Sequence, residues 1–303
     1  MKIATSTCDF SSYFSTYEEQ IREIAKAGFK YVDLCLYEVN VVNKTFSDEA
    51  WKNEVQKLKE LATELNITYV QAHSPGKGGD PIKEDNFDAF LKASIRVIEI
   101  CGELGIKNTV YHGGMLRGIS KEEWFERNLV FVKNLLPYLE KFNVNLLLEN
   151  STDVNLRGIY YPNSGKDLRE FIDYVNHKNF GACWDTGHAN CEGAQYNEIL
   201  ALGDKLWAIH YNDNRGMADE HVLPYFGTMN NDEIISALKE INYKGYFTLE
   251  SNRPAIFGAT WPISRRYFNE TMDEAPLFLR REMEVLAYKI SKYILEKHGV
   301  FEE

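Results

Sequence analysis

Six residues whose side chains can hold a metal ion or carry a proton each follow a short apolar segment of this 303-residue chain. They are three imidazoles and three carboxylates: His73, His112, Glu149, Asp185, His210 and Glu250. The segment Cys183–Asn190 reads C-W-D-T-G-H-A-N, so that Asp185 ends an apolar run and His188 follows three residues later in what we read as a tight glycine-bearing turn. A carboxylate and an imidazole at this spacing suit a metal ion or a polar small molecule.

These six side chains would repel one another, or hold extra protons, if they met without a cation between them. Oxygen and nitrogen donors without a thiolate suit Mn²⁺, Zn²⁺, Co²⁺ or Mg²⁺, and the sequence predicts one divalent ion of this group. Glu149 and Glu250 carry this prediction most strongly, because each follows three mostly apolar residues and a buried carboxylate without a partner is costly. The alternative for a single histidine is a hydrogen-bonding role, and for Asp185 a helix cap.

A polar segment further along the chain contains Asp219 and His221 in a D-x-H pattern, followed by Pro224 and Gly227. A carboxylate and an imidazole just past a strand that ends in His210 can complete a second metal site or hold a substrate. The alternative is a solvated polar loop.

The rest of the chain alternates short apolar strands with amphipathic helices, which indicates a sheet of parallel strands. Strands are predicted at residues 2–5, 31–36, 67–72, 108–111, 144–148, 180–184, 206–209 and 246–249. Helices are predicted at about 17–27, 48–65, 86–104, 120–142, 166–176, 194–202, 232–241 and 276–296. Ser47 is the expected N-cap of the second helix, and Pro137 is expected to kink or break the fourth.

Eight strands that alternate with eight helices are compatible with two folds, a closed (β/α)₈ barrel and an open doubly wound sheet. The barrel is favoured because no G-x-G-x-x-G follows the first strand and eight units fill about 300 residues. No linker-like composition divides the chain, so we predict one domain over residues 1–303. In a barrel the six strand ends converge at one mouth, where barrel active sites lie.

The composition of the chain limits its expected binding partners and its expected cellular compartment. The net charge of -11 is spread along the chain. It argues against a nucleic-acid partner, because proteins that bind nucleic acids usually carry a basic stripe. The first ten residues lack the features of a signal peptide, and no apolar run reaches the ~18 residues of a membrane helix. We therefore expect a cytoplasmic protein without a membrane partner. The five cysteines are scattered without C-x-x-C spacing and are expected to be reduced thiols.

Several motifs together resemble the xylose-isomerase-like, or AP-endonuclease-family-2-like, TIM-barrel superfamily. They are L-L-L-E-N (146–150), W-D-T-G-H-A-N (184–190), I-H-Y-N-D-N (209–214), D-E-H-x-x-P (219–224) and T-L-E-S-N (248–252). The resemblance extends over nearly the whole chain, and the motifs are specific to the superfamily rather than to one reaction. The superfamily includes sugar and keto-sugar epimerases, isomerases and dehydratases, and endonuclease IV.

The resemblance implies roles for individual residues. In the epimerase branch, Glu149, Asp185, His210 and Glu250 would hold one divalent ion and His188 would bind a substrate oxygen. In the endonuclease branch the same four would hold one zinc. The residues that would then help to hold two further ions are His73, His112, His188, Asp219 and His221. For the epimerase reading we expect these last five to contact the substrate.

The reaction that we expect is isomerisation or epimerisation of a sugar, a sugar phosphate or a keto-polyol. A metal-stabilised enediolate would form when Glu149 or Glu250 removes a proton, with the other glutamate returning it. The alternatives are a three-zinc phosphodiesterase, a dehydratase or lyase acting on a sugar-like substrate, and a barrel that binds a sugar without turnover. The two strand-end glutamates count against a pure binder.

Two segments depart from the pattern of the superfamily. The residues after His221 are less rich in glycine than in many relatives, and a long segment, Asn252–Ala275, follows the eighth strand. This extended segment carries aromatic and arginine side chains: Phe257, Trp261, Arg265, Arg266, Tyr267 and Phe268. We expect either a lid over the substrate or a contact between subunits of a homo-oligomer.

Overall fold

The computed structural model describes residues 1–39, 46, 50–76, 80–252 and 276–303. Eight short strands form one parallel sheet in these residues. They are β1 Ile3–Ser6, β2 Tyr31–Cys35, β3 Thr68–His73, β4 Asn108–Tyr111, β5 Asn145–Glu149, β6 Phe180–Asp185, β7 Leu206–His210 and β8 Phe247–Leu249. The hydrogen-bonded order runs β7-β6-β5-β4-β3-β2-β1-β8.

The sheet closes on itself between its first and last strands in that order. Tyr211 N–H donates to the carbonyl of Thr248 at 2.7 Å, and Glu250 N–H donates to the carbonyl of Tyr211 at 3.2 Å. This bridge joins the carboxyl ends of β7 and β8. The fold is therefore the predicted TIM barrel.

Nine α-helices surround the barrel in the described residues. They are α1 Tyr17–Lys26, α2 Trp51–Leu65, α3 Phe87–Leu104, α4 Lys121–Phe142, α5 Gly165–Val175, α6 Thr186–Glu192, α7 Tyr196–Leu202, α8 Asn231–Glu240 and α9 Leu277–Lys297. Side-chain caps start several of them: Ser120 accepts from the N–H of Glu123, and Ser164 from that of Asp167. None of these described helices has the length and apolar character needed to span a bilayer.

One prediction about these helices is wrong. The turn expected after β6 is helix α6, because the carboxylate of Asp185 accepts the N–H of His188 at 2.6 Å and caps a helix there. Of the kink or break expected at Pro137, the break does not occur, since helix α4 continues through this residue to Phe142. The expected cap Ser47 lies outside the described residues.

Alternation along the strands separates the core from the barrel interior. Leu146 and Leu148 on β5 belong to the main core between strands and helices, whereas Leu147 points into the barrel. It packs there in a small cluster with residues of the neighbouring strands: Val110, Cys183 and Ala208. Each of these four residues stands two positions before one of the strand-end residues. The next inward layer above this apolar floor therefore holds His112, Glu149, Asp185 and His210.

A buried charged group joins α9 to the start of the barrel. Nη2 of Arg280 lies 2.8 Å from Oε2 of Glu284 and 3.4 Å from Oδ1 of Asp9, and its Nε donates to the Asp9 carbonyl at 2.8 Å. Two acidic side chains thus share one guanidinium. Burial, together with the nearby Asp9, raises the pKa of Glu284 to about 8.

Replacing Glu284 by glutamine should flatten the dependence of stability on pH. The pKa of Glu284 is about 8 in the folded chain against 4.5 for an ordinary glutamate, so the folded state holds the proton more tightly. Its contribution to the free energy of unfolding is complete below pH 4.5 and is lost as the pH rises through 8. The loss is roughly 1.4 kcal/mol for each unit of pKa difference.

Urea unfolding between pH 5.5 and 8.5 measures this effect, and the exposed Glu282→Gln on the same helix is the matched control. The wild-type protein and the control should lose stability toward pH 8.5 relative to Glu284→Gln. Parallel profiles for all three proteins would contradict the assignment.

Candidate active site

The four residues expected to hold a metal ion meet at the carboxyl end of the barrel. Glu149, Asp185, His210 and Glu250 each place a donor atom within 4.8 Å of the others. Nδ1 of His210 lies 2.7 Å from Oε1 of Glu149 and 3.4 Å from Oε2 of Glu250. All four come from strands β5 to β8 or the residue that follows them, so barrel closure alone brings them together.

A second group of donors shares Glu149. Nε2 of His112 lies 3.0 Å from Oε2 of this carboxylate, and Nε2 of His73 lies 3.5 Å from the same oxygen. That oxygen is buried and takes part in no hydrogen bond. His73 keeps Nε2 turned toward Glu149 because its Nδ1 is hydrogen-bonded to the carbonyl of Ser74 at 2.8 Å.

A third group consists of His188, Asp219 and His221. Nε2 of His188 lies 3.2 Å from Oδ2 of Asp219, and Nε2 of His221 lies 3.1 Å from Oδ1. Nδ1 of His188 is hydrogen-bonded to the backbone carbonyl of Asn150 at 2.9 Å, and Nδ1 of His221 to that of Glu250 at 2.9 Å. A backbone partner on one ring nitrogen is the arrangement that orients histidines toward metal ions in proteins.

Three residues that we did not predict hold the donors in place. Asn150 donates to the carbonyl of Asp185 at 3.0 Å and accepts its N–H at 2.7 Å, and Asn212 donates to Oδ2 of Asp185 at 2.7 Å. The side-chain amide of Gln71 reaches Nε2 of His210 at 2.8 Å, so that Nδ1 of this ring faces the carboxylates. The sequence contained a signal for each of these supporting residues. Asn150 directly follows Glu149, and Asn212 follows His210 by two positions. Gln71 precedes His73 by two positions and therefore lies on the same face of β3.

The imidazoles balance the carboxylates electrostatically. Burial alone would lower the pKa of His73, but the Glu149 carboxylate reverses this and raises it to about 9. Asp219 similarly overcomes the effect of burial on His221 and raises its pKa to about 10. For His112 burial dominates and lowers the pKa. The pKa of Glu250 is raised by burial.

All three groups open into one cavity of about 790 Å³. Its walls also include residues of the first turns after β1 and β2: Ser11, Phe14, Tyr17 and Tyr37. No lysine or arginine occurs among the described residues that line it. A cavity of this size is in the range of small-molecule sites in proteins.

The loop that carries Asp219 and His221 is organised around the buried carboxylate of Asp213. Its Oδ1 accepts the N–H groups of Asn214 and Met229 at 2.8 and 3.0 Å, and its Oδ2 accepts those of Tyr225 and Gly227, both at 3.1 Å. The loop needs such anchors because His221 and Tyr225 have left-handed backbones, with φ of 51° and 74°.

Replacing Asp213 by asparagine should loosen this loop. An amide offers one oxygen where the carboxylate offers two, so two of the four N–H groups would face the NH₂ group. We expect the free energy of unfolding to fall by about 1–3 kcal/mol and residues 214–228 to become sensitive to proteases. Thermal unfolding and limited proteolysis measure both effects, with Asp204→Asn, whose side chain is 78% exposed, as the control. Wild-type protease resistance in Asp213→Asn would refute this role.

The structure thus brings every residue that we selected to one mouth, and their assignment as ligands or substrate contacts stays a prediction. The segment expected to form a lid or a subunit contact lies outside the described residues from position 253 to 275.

Comparisons with known proteins show the family to which the chain belongs. Residues 21–281 match the family model described as xylose isomerase-like TIM barrel. An L-ribulose 3-epimerase from Methylomonas sp. (strain DH-1) is 26% identical over 239 residues, which is 75% of each chain. A probable endonuclease 4 from Aquifex aeolicus (strain VF5) is 25% identical over 184 residues, 55% of this chain and 62% of that protein.

A solved structure has the same fold. The crystal structure of IOLI protein with a binding zinc atom superimposes with a TM-score of 0.76 and 19% identity, covering 100% of both chains. At this identity the likeness concerns the fold alone.

Proposed function

Because the chain belongs to the xylose isomerase-like TIM barrel family, we propose that this enzyme is an isomerase or epimerase acting on a sugar or a sugar-like keto-polyol. One observation carries the proposal: donor atoms of Glu149, Asp185, His210 and Glu250 lie within 4.8 Å of one another, and two of the four residues, Glu149 and Glu250, line the cavity. The similarity to an L-ribulose 3-epimerase supports this class of substrate.

The four residues fit a divalent metal ion. They offer three carboxylates and one imidazole, and the buried Oε2 of Glu149 has a lone pair that no hydrogen bond uses. Such a set of oxygen and nitrogen donors suits Mn²⁺, Zn²⁺, Co²⁺ or Mg²⁺, and the zinc atom of the structurally similar IOLI protein is consistent with it. When bound, the ion supplies Lewis-acid stabilisation of the negative charge that develops on the substrate.

The proton transfers fall to Glu149 and Glu250. Glu149 stands at the end of β5 and Glu250 follows β8, so the two carboxylates approach the cluster from different sides of the barrel. One removes the proton from the carbon beside the substrate carbonyl, and the other returns a proton. Return to the opposite face of the same carbon gives an epimer, and return to the neighbouring carbon gives an isomer.

Histidines hold the substrate oxygens in this proposal. His188 has Nε2 directed toward Asp219 and the cavity, where it can donate a hydrogen bond to the oxygen that becomes negatively charged. The neighbouring residues that would contact the remaining hydroxyl groups are His73, His112, Asp219 and His221.

Hydrogen exchange tests the proposal directly. The protein is incubated in D₂O with a panel of free ketoses and their phosphates, with and without Mn²⁺ or Zn²⁺, and the carbon-bound hydrogens are followed by NMR. We expect deuterium beside the carbonyl group together with a new epimer or aldose. Loss of water from the substrate would instead indicate a dehydratase. No exchange with any compound under any metal condition would overturn the proposal.

A second candidate, a three-zinc phosphodiesterase, is favoured by one specific observation. The three donor groups are all assembled, and Glu149 is shared by two of them as a bridging carboxylate would be. The similarity to a probable endonuclease 4 agrees with this reading. The described cavity walls contain no lysine or arginine to meet a phosphate backbone, so we place it second.

Metal content separates the two functions. Protein prepared with excess zinc and then desalted should retain about one ion per chain for the isomerase and about three for the phosphodiesterase. An oligonucleotide with an abasic site provides the matching activity assay. Three ions together with cleavage of this oligonucleotide would favour the second candidate.

A further inference from the structure

Two cysteines lie side by side in the wall of the cavity. Cys8 is in the short 3-10 helix Thr7–Phe10 that follows β1, and Cys35 ends β2. Both are half-buried free thiols that line the cavity, and each lies near enough to the other to shift its pKa. The chemistry proposed above uses neither of them.

The backbone holds the two cysteines together. Ser6 on β1 pairs with Asp33 on β2, which places the 3-10 helix Thr7–Phe10 beside the end of β2. The N–H of Cys35 donates to Oγ1 of Thr7 at 2.9 Å. This hydrogen bond joins the end of β2 to the residue that precedes Cys8. Neighbouring strands are about 4.8 Å apart, within the range of roughly 4.4–6.8 Å between Cα atoms that a disulfide requires.

We propose that Cys8 and Cys35 form an oxidisable dithiol, which hydrogen peroxide converts to an intramolecular disulfide that impairs the active site. One thiol attacks the peroxide, which forms a sulfenic acid and releases water. The second thiol then attacks that sulfur, so that a sulfur–sulfur bond forms and a second water leaves. In sum, two thiols and one peroxide give one disulfide and two waters.

Whichever of the two thiols attacks the peroxide, the other lies in the same cavity wall and acts as the resolving thiol. Burial raises the pKa of the Cys101 thiol well above its usual range and that of Cys183 to about 12, so these two thiols should react more slowly.

The bond should disturb the site because the cysteines adjoin it. Cys35 pairs in register with His73 on β3, and His73 approaches Glu149. Closing a disulfide replaces the thiol contact by a shorter covalent bond and draws the turn after β1 toward β2. A displacement of catalytic groups by about 1 Å can reduce turnover by about a hundredfold, so we expect the smaller shift here to cost about tenfold or more.

Peptide mapping of the full-length protein tests the proposal. The reduced protein is treated with hydrogen peroxide, alkylated and digested with trypsin, which releases peptides 3–22 and 31–44, each containing one of the two cysteines. We expect a linked pair of these peptides that dithiothreitol separates. The rate of hydrogen exchange should fall about tenfold or more with the same time course and recover on reduction.

Variants provide the controls. Cys8→Ser and Cys35→Ser, each compared with its own untreated activity, should yield no linked peptides, whereas Cys191→Ser should behave as the wild-type protein does. Cys191 is half-buried like the pair and lies in α6. Absence of the linked peptides in the wild-type protein, or a linked protein with an unchanged exchange rate, overturns the proposal. The peptide map needs no substrate, so it reports on the dithiol even if the sugar assay fails.

Discussion

Glu149→Gln is expected to lower kcat/KM for the sugar reaction by about a thousandfold or more. A glutamine cannot accept the proton from carbon, and its NH₂ group would face either Nδ1 of His210 or Nε2 of His112. The substitution also removes the carboxylate that two donor groups share. Both effects act on the chemical step, so kcat should fall far more than KM rises.

Glu250→Gln should show a loss of similar size for the same reason. Because the two glutamates act in consecutive proton transfers of one reaction, the double variant should lose little more activity than either single variant. Glu126→Gln, at an exposed position of α4, is the matched control and should retain wild-type turnover. Exchange of substrate hydrogen with solvent at the wild-type rate in both single variants would exclude this mechanism.

Removal of the divalent ion should abolish turnover and lower the thermal stability. Three buried or largely buried carboxylates, those of Glu149, Asp185 and Glu250, would then rely on neighbouring imidazoles alone for compensation. An ion that binds only the folded state contributes about 2.7 kcal/mol to stability at a free concentration of about 100 Kd. Dialysis against a chelator, followed by thermal unfolding and the exchange assay, measures both losses.

Restoring the ion supplies the control for this experiment. Added Mn²⁺ or Zn²⁺ should recover activity and melting temperature together, whereas Asp185→Asn should recover neither fully, since an amide binds these ions more weakly. Turnover that survives complete removal of metal, as shown by elemental analysis, would be incompatible with the proposed site.

Local patterns were sufficient to predict the barrel and most of its elements. The buried strands are nearly continuous apolar runs, such as Leu146–Leu148, and the helices begin at side-chain caps such as Ser120. Both signals lie within a few consecutive residues. Helix α6 escaped prediction because its seven residues include no apolar periodicity, and Asp185 serves at once as strand end, helix cap and donor.

The sequence by itself determined which residues stand at the ends of the strands, since a period of two along each strand decides which side chains enter the barrel. Only the tertiary structure decided which atoms meet. His210 reaches Glu149 across 61 residues, and Gln71 reaches His210 across 139. The position of Cys8 and Cys35 in one cavity wall and the four hydrogen bonds to Asp213 likewise depend on strand packing and loop closure. Such contacts arise from the packing of the whole chain, because no local preference specifies the partner of a side chain distant in sequence.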